Sequence, residues 1–182
     1  MKACGVSRFA YNWGLDRKRE AMREHRLSRS LHSLANELNR RKPREFPWMY
    51  EVSKCVPYEA LSDLDRAYQS FYRHLRGEKE SQFKNPTFCG ECKALRFGPH
   101  VGYPRFKGKR HGPGSFRIEG QRVRVYADCV QIQRLGLVGL KERGFIPWEE
   151  VKIVSATISA RAGRWFVSIT VRRNIEVPTS LV

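Results

Sequence analysis

Two runs of side chains in this sequence have types and spacings that could carry chemistry. Cys89-Gly90-Glu91-Cys92 has the spacing of a metal-binding pair. Tyr103-Pro104-Arg105-Phe106-Lys107, followed by Lys109-Arg110, interleaves cations with aromatic rings. A structural zinc needs four ligands, so a single pair of this kind is half a site. His100 and His111 are the nearest supplements, and neither gives a recognisable second half. The expectation at Cys89 and Cys92 is therefore two reduced thiols and no zinc. The second run suits a polyanion, because Arg and Lys meet phosphates while aromatic faces stack on bases. Its competing role is structural, as a strand whose rings are buried. Both hold together if alternate residues point to opposite faces, with Phe106 inward and Arg105 outward.

Groups for catalysis are scattered. A metal-dependent nuclease or hydrolase clusters carboxylates around its divalent ions. Asp63 and Asp65 lie two apart in a helical pattern and so face different ways. Asp16 and Asp128 have no acidic companion in sequence, and Glu149-Glu150 falls in a turn before a strand. All of these read as surface charge or caps. No glycine–lysine phosphate loop and no GxSxG occur, and none of the five histidines sits in a nucleophile motif. No catalytic residue and no small-molecule substrate are assigned.

Charge narrows the partner. Lys+Arg 35 against Asp+Glu 18 gives a net charge of +17 over 182 residues, more than solubility requires, and this points to a polyanion. An acidic membrane surface is the competitor. The sequence has no signal peptide, no long apolar span and no basic helix beside a lipidation motif, so nucleic acid is preferred over lipid. Five cysteines are an odd count, which with no secretory signal suggests reduced thiols in a cytoplasmic protein. Cys4, Cys55 and Cys129 read as small core or semi-buried residues.

The elements that position these residues fall into two halves, an α+β arrangement. Cys4 to about Glu24 is helical, with Phe9 and Trp13 four apart on a core face. Ser28 or Ser30 caps a second helix carrying Leu31, Leu34, Ala35 and Leu38; Arg40-Arg41-Lys42 sit at its end and Pro43 stops it. After the connector Glu45–Met49, either a Ser53 cap or Pro57 in the first turn starts a third helix. This helix runs to about Arg76 on a stripe of Ala60, Leu61, Leu64, Ala67, Tyr68, Phe71 and Leu75, and Gly77 ends it. Glu78 to His100 is punctuated by Pro and Gly and reads as a long loop or insertion. Strands follow at Arg122–Tyr126, Val130–Leu135, Leu137–Leu140, Lys152–Ser159 and Trp165–Arg172. The last two are joined by an Arg161-Ala162-Gly163-Arg164 turn. In the last strand Val167, Ile169 and Val171 form an apolar face. Together these predict a small antiparallel barrel or curved sheet.

At this point the residues resemble a family. Ser7-Arg8-Phe9-Ala10-Tyr11-Asn12, Phe46-Pro47-Trp48-Met49-Tyr50-Glu51-Val52-Ser53-Lys54 and Ala60-Leu61-Ser62-Asp63-Leu64-Asp65-Arg66-Ala67-Tyr68 look like TnpB. This is the OrfB "transposase" of bacterial and archaeal insertion sequences, related to type V CRISPR effectors. Gly102–Lys107, Ser115-Phe116-Arg117, Arg134-Leu135-Gly136, Ser155–Ser159 and Gly163–Ser168 continue the match in family order.

The resemblance implies an RNA-guided DNA endonuclease family. Its members have a WED-like β-barrel, a helical REC domain inserted in it, a RuvC nuclease and a zinc ribbon. On that pattern residues 2–77 are REC-like, 78–101 an irregular insertion, 102–177 WED-like and 178–182 a tail. The barrel's first strand, which precedes the Ser-Arg-Phe helix, has no counterpart. The chain ends where the first RuvC strand and its Asp are expected. Mg²⁺ would belong to that nuclease domain, and Cys89 and Cys92 do not map onto the ribbon. The implied partners are a guide RNA and target DNA. By motif position Lys54 is the leading candidate for reading the transposon-adjacent DNA motif. Tyr58 stands one turn on, where a Gln is common, and Gln121 and Arg122 follow the Ser-Phe-Arg strand. Arg105, Lys107, Lys109 and Arg110 lie toward guide-RNA or heteroduplex phosphates. The alternatives to a nucleic-acid-binding portion of such an endonuclease are a stand-alone, non-cleaving regulator and a degenerate fragment.

Overall fold

The computed structural model describes residues 2–25, 29–76, 88–89, 94–95, 103–109, 114–142, 144 and 151–173. Three helices come first: α1 (Lys2–Arg23), α2 (Leu31–Glu45) and α3 (Cys55–Leu75). Eight strands follow among the described residues. They are β1 (Phe88–Cys89), β2 (Ala94–Leu95), β3 (Ser115–Glu119), β4 (Val123–Val125), β5 (Cys129–Ile132), β6 (Gly136–Gly139), β7 (Lys152–Arg161) and β8 (Arg164–Arg172).

The helices form where the sequence predicts them, because their apolar residues recur at helical spacing. Leu15, Leu34, Leu38, Leu61 and Leu64 are fully buried where α3 packs against α1 and α2. Each contributes on the order of 1.5–3 kcal/mol by leaving water. At Gly14 a side chain would lie 2.5 Å from Leu61 Cδ2, so α1 and α3 cross where a Cβ has no room. Ser30 caps α2, its hydroxyl accepting from the Ser33 amide at 3.2 Å. Ser28 and Gly77 lie outside the described residues.

Pro43 does not stop α2. The helix continues to Glu45, and the Phe46 amide donates to Lys42 O at 3.1 Å. A proline removes its own N–H and leaves the turn beyond it able to close. Phe46 is then held in an edge-on cluster with Phe9 and Trp48 at centroid distances of 4.8 and 6.5 Å. A 3₁₀ turn, Pro47–Glu51, leads to α3. Lys54 occupies the cap position without a side-chain cap bond. Ser53 supplies only a 3.4 Å contact from the Cys55 amide, and Pro57 sits buried in the first turn.

The described strands do not close into one barrel. They form two antiparallel three-stranded sheets, ordered β3-β7-β8 and β4-β5-β6, and a separate two-stranded pair, β1-β2. Phe116, Ile118, Ala156 and Ile158 from the first sheet share one core with Val123, Val125, Val130 and Ile132 from the second. Phe116, Ile118, Val130, Ile132 and Ile158 of that core also line an open cleft of about 1870 Å³ between the sheets. The β7–β8 hairpin turns through Ala162 and Gly163, both left-handed (φ 48 and 74). That geometry matches the right-handed twist of paired strands. Val167 and Ile169 pack on the core as the alternation predicts, whereas Val171 is exposed.

Candidate nucleic-acid interface

One face of the β4–β5 ribbon is polar and the other is core. Val123 pairs with Ile132 and Val125 with Val130, and all four are buried. Between them Arg124 pairs with Gln131 on the outer face. Arg122 and Gln133 extend that face by one pair, the Gln133 amide donating to Arg122 O at 3.1 Å. These residues, with Gln121, Arg134 and Gly136, line a groove of about 440 Å³. Ser53 donates to Gln133 Oε1 at 2.8 Å, and Tyr126 OH donates to Gln131 Oε1 at 3.4 Å. With those carbonyl oxygens engaged, the groove presents mainly donors: three guanidiniums and the glutamine amide nitrogens.

The predicted residues divide between this groove and a second surface. Gln121 and Arg122 line the groove through the 3₁₀ turn Gly120–Arg122. Lys54 is exposed and follows Ser53, the residue bonded to the groove wall. Tyr58 is half-buried against the core. Four groove residues escape the sequence reading: Arg124, Gln131, Gln133 and Arg134. Polar alternation in the strands is visible in the sequence, but the register that pairs Arg124 with Gln131 is not.

Arg105, Lys107 and Lys109 lie on a non-strand segment, residues 103–109, strapped across α1 and α3. Asn12 clamps it with two bonds, Nδ2 to Lys107 O at 3.0 Å and Lys107 N to Oδ1 at 2.8 Å. Arg19 donates to Pro104 O at 3.3 Å and lies over both Tyr103 and Phe106, 5.5 and 4.6 Å from their ring centres. Tyr103 turns inward, edge-on to Tyr68 and Phe71, with its hydroxyl 2.9 Å from that of Tyr68. Burial and this hydroxyl pair push the Tyr68 pKa well up.

Phe106, expected inward, is 48% exposed, while Pro104 is buried. The strand alternation behind that expectation does not apply, because the Asn12 clamp and Pro104 set the direction of each side chain individually. Arg105 is exposed as expected. The Lys107 ammonium sits 3.9 Å from the Tyr11 ring centre, and burial lowers its pKa against the opposing field of Asp63. Lys109 is exposed, and Arg110 lies outside the described residues.

Carboxylates of the helical half are engaged with cations. Asp63 pairs with Arg66 and with Arg117 (3.4 Å), and Asp65 with Lys18 at 3.3 Å. Glu59 lies 3.6 Å from Arg117, and Glu37 pairs with Arg29 and Arg41. Among the described residues no group of three or more His, Cys, Asp or Glu is arranged to hold a metal ion. Cys89 falls in β1 and Cys92 lies outside the described residues. Cys4 and Cys55 are buried free thiols, as the sequence suggests, and Cys129 is half-buried. No helix among the described residues is long and apolar enough to cross a membrane. No protein-family model matches the chain, and no curated protein matches it.

Proposed function

We propose that this chain is a nucleic-acid-binding module of the TnpB kind, acting in the cytoplasm of a bacterial or archaeal cell. It holds a guide RNA and the transposon-adjacent DNA, and it does not itself cut. The observation that carries this reading is the donor-rich groove on β4–β5, with Arg122, Arg124 and Arg134 among three glutamines. Such a face fits acceptor-rich ligands: phosphate oxygens, and the base edges of a duplex groove, where guanine offers two acceptors to an arginine. Lys54 stands beside this face, and the exposed cations of the strap offer a second contact line for phosphates.

The non-cleaving part of the reading is supported by the carboxylates. Asp63, Asp65 and Glu59 are committed to Lys18, Arg66 and Arg117. Coordination of a catalytic ion would have to break those pairs.

A mobility-shift titration with structured RNA and with duplex DNA, each at two salt concentrations, tests the reading, with Mg²⁺ added as a cleavage control. Binding is expected to weaken steeply with salt, because phosphate contacts release counterions. Lys54→Ala is expected to reduce discrimination among short DNA motifs more than it reduces RNA affinity. Salt-independent binding, or specific Mg²⁺-dependent cutting, would overturn the proposal.

A further inference from the structure

We propose that Phe106 is a stacking platform for one unpaired nucleobase, built on Arg19 and supplied with phosphate contacts by Arg105 and Lys109. The inference rests on the nucleic-acid-binding reading above and names the form of nucleic acid that the strap takes. Three observations carry it. Phe106 is 48% exposed, although the neighbouring Tyr103 and Pro104 are turned into the protein. Its ring is not loose: the Arg19 guanidinium lies 4.6 Å from the ring centre, and the same guanidinium is fixed by Pro104 O and by the Tyr103 ring. The backbone beneath is pinned one residue on by both Asn12 bonds to Lys107.

A ring held this way does not have to be ordered on binding, so the entropy normally lost in fixing an aromatic side chain is already spent. Base stacking on an aromatic face is tolerant of sequence because every base has a π-face. Paired bases in a duplex hide those faces against their neighbours, so the platform selects single-stranded segments. Exposed Arg105 and Lys109 flank the ring on the same strap, where the phosphates on either side of a stacked base would pass. The competing role of Phe106 is as a lid that shields Arg19, and that role is indifferent to whether the ligand carries bases.

The test uses Phe106→Leu, which keeps an apolar cover over Arg19 but has no ring, and Phe106→Trp, which keeps a larger π-face. Binding is measured by fluorescence anisotropy on a short single-stranded RNA, on the same strand with abasic sugars, on the same sequence as single-stranded DNA, and on a duplex. Thermal melts check that each variant is folded. The expected result is that Phe106→Leu weakens binding of intact single strands by about tenfold and leaves abasic and duplex binding unchanged. Phe106→Trp is expected to retain affinity, with its fluorescence quenched on binding. The RNA and DNA arms show which single strand supplies the base. Equal weakening on intact and abasic strands, or no weakening on either while the wild-type protein binds, would overturn the platform and leave the module reading intact. A wild-type protein that binds no nucleic acid would overturn both.

Discussion

Replacing Gly120 by Ala should disable the groove by a purely steric route. Gly120 opens the turn that carries Gln121 and Arg122. A Cβ placed there would lie 2.0 Å from the Ile153 carbonyl oxygen, 2.5 Å from its carbon and 2.9 Å from the Val154 carbonyl carbon. Comfortable non-bonded separations are about 3.5 Å, so turn and strand must part by more than about 1 Å. All three obstructing atoms are backbone, and no rotamer change relieves them. The contact falls on the β7 irregularity between Ile153 and Ser155, where the register shifts and Val154 has no opposite residue. The bulged strand therefore supplies the surface on which the turn sits. Overpacking a well-filled site costs about 1–3 kcal/mol where side chains can yield. A backbone-on-backbone clash belongs at the upper end, about 3 kcal/mol. Gly139→Ala is the control, because nothing lies within 4 Å of its Cβ and it too sits beside the polar ribbon. It should fall within about 0.5 kcal/mol of wild type. Urea unfolding reads both variants, with midpoints compared at constant slope. The duplex mobility shift then reads the groove. A Gly120→Ala midpoint equal to that of Gly139→Ala would refute the steric reasoning and, with it, the placing of Gln121 and Arg122 by this contact.

Two further predictions concern buried charge. The Lys18 side chain is 6% exposed and its partner Asp65 26%. Asp65→Asn leaves the ammonium with the Tyr68 ring at 4.9 Å in place of its charge partner, and should destabilise by about 1–3 kcal/mol after allowance for the aspartate's partial exposure. Lys18→Met should cost less, and the double variant should recover part of the Asp65→Asn loss; equal stability of Asp65→Asn and wild type in chemical denaturation would contradict this. Burial raises the Glu59 pKa above its ordinary 4.5, against the lowering pull of Arg117. A raised folded-state value means that the native protein favours the protonated form. That favourable contribution is complete below 4.5 and is lost as pH rises through the folded value. Glu59→Gln should therefore gain stability relative to wild type as pH rises from below 4.5 toward neutrality. A difference that stays flat or reverses would show the Arg117 pair outweighing burial.

The helical half is legible in the sequence because its signals are local. Leu34, Ala35 and Leu38, or Leu61, Leu64 and Tyr68, recur within one or two turns, and Ser30 caps three residues ahead. Pro43 misleads because a local rule about its own missing N–H says nothing of the Phe9–Phe46–Trp48 cluster that carries the chain past it. The strands from β3 on are legible for the same local reason, whereas β1 and β2, in the stretch read as a loop, and the assembly of the sheets are not. Two three-stranded sheets and one curved barrel share the same alternation, and only cross-strand register separates them. The groove is lost at that step, since Arg122 and Arg134 are 12 positions apart and meet through the β4–β5 pairing. Phe106 is misplaced because the direction of its ring is set by Asn12 and Arg19, far away in sequence.

The net charge of +17 overstates what the protein offers to a polyanion. Lys107 is drawn onto Tyr11 and Lys18 onto Asp65 and Tyr68. Arg19 is held by Pro104, Tyr103 and Phe106, and Arg117 by Glu59 and Asp63. These cations are already engaged by groups of the protein itself, although only Lys18 is buried and Lys107 stays exposed. The two candidate surfaces carry Lys54, Arg122, Arg124 and Arg134 at the groove, and exposed Arg105 and Lys109 on the strap. If those six contacts are the phosphate contacts, the logarithmic dependence of affinity on salt has a slope of about −4 to −5. A slope two or three times steeper would mean that the whole basic surface binds without discrimination. The size of the slope, rather than its sign, therefore separates a protein with two built surfaces from one that is merely positive.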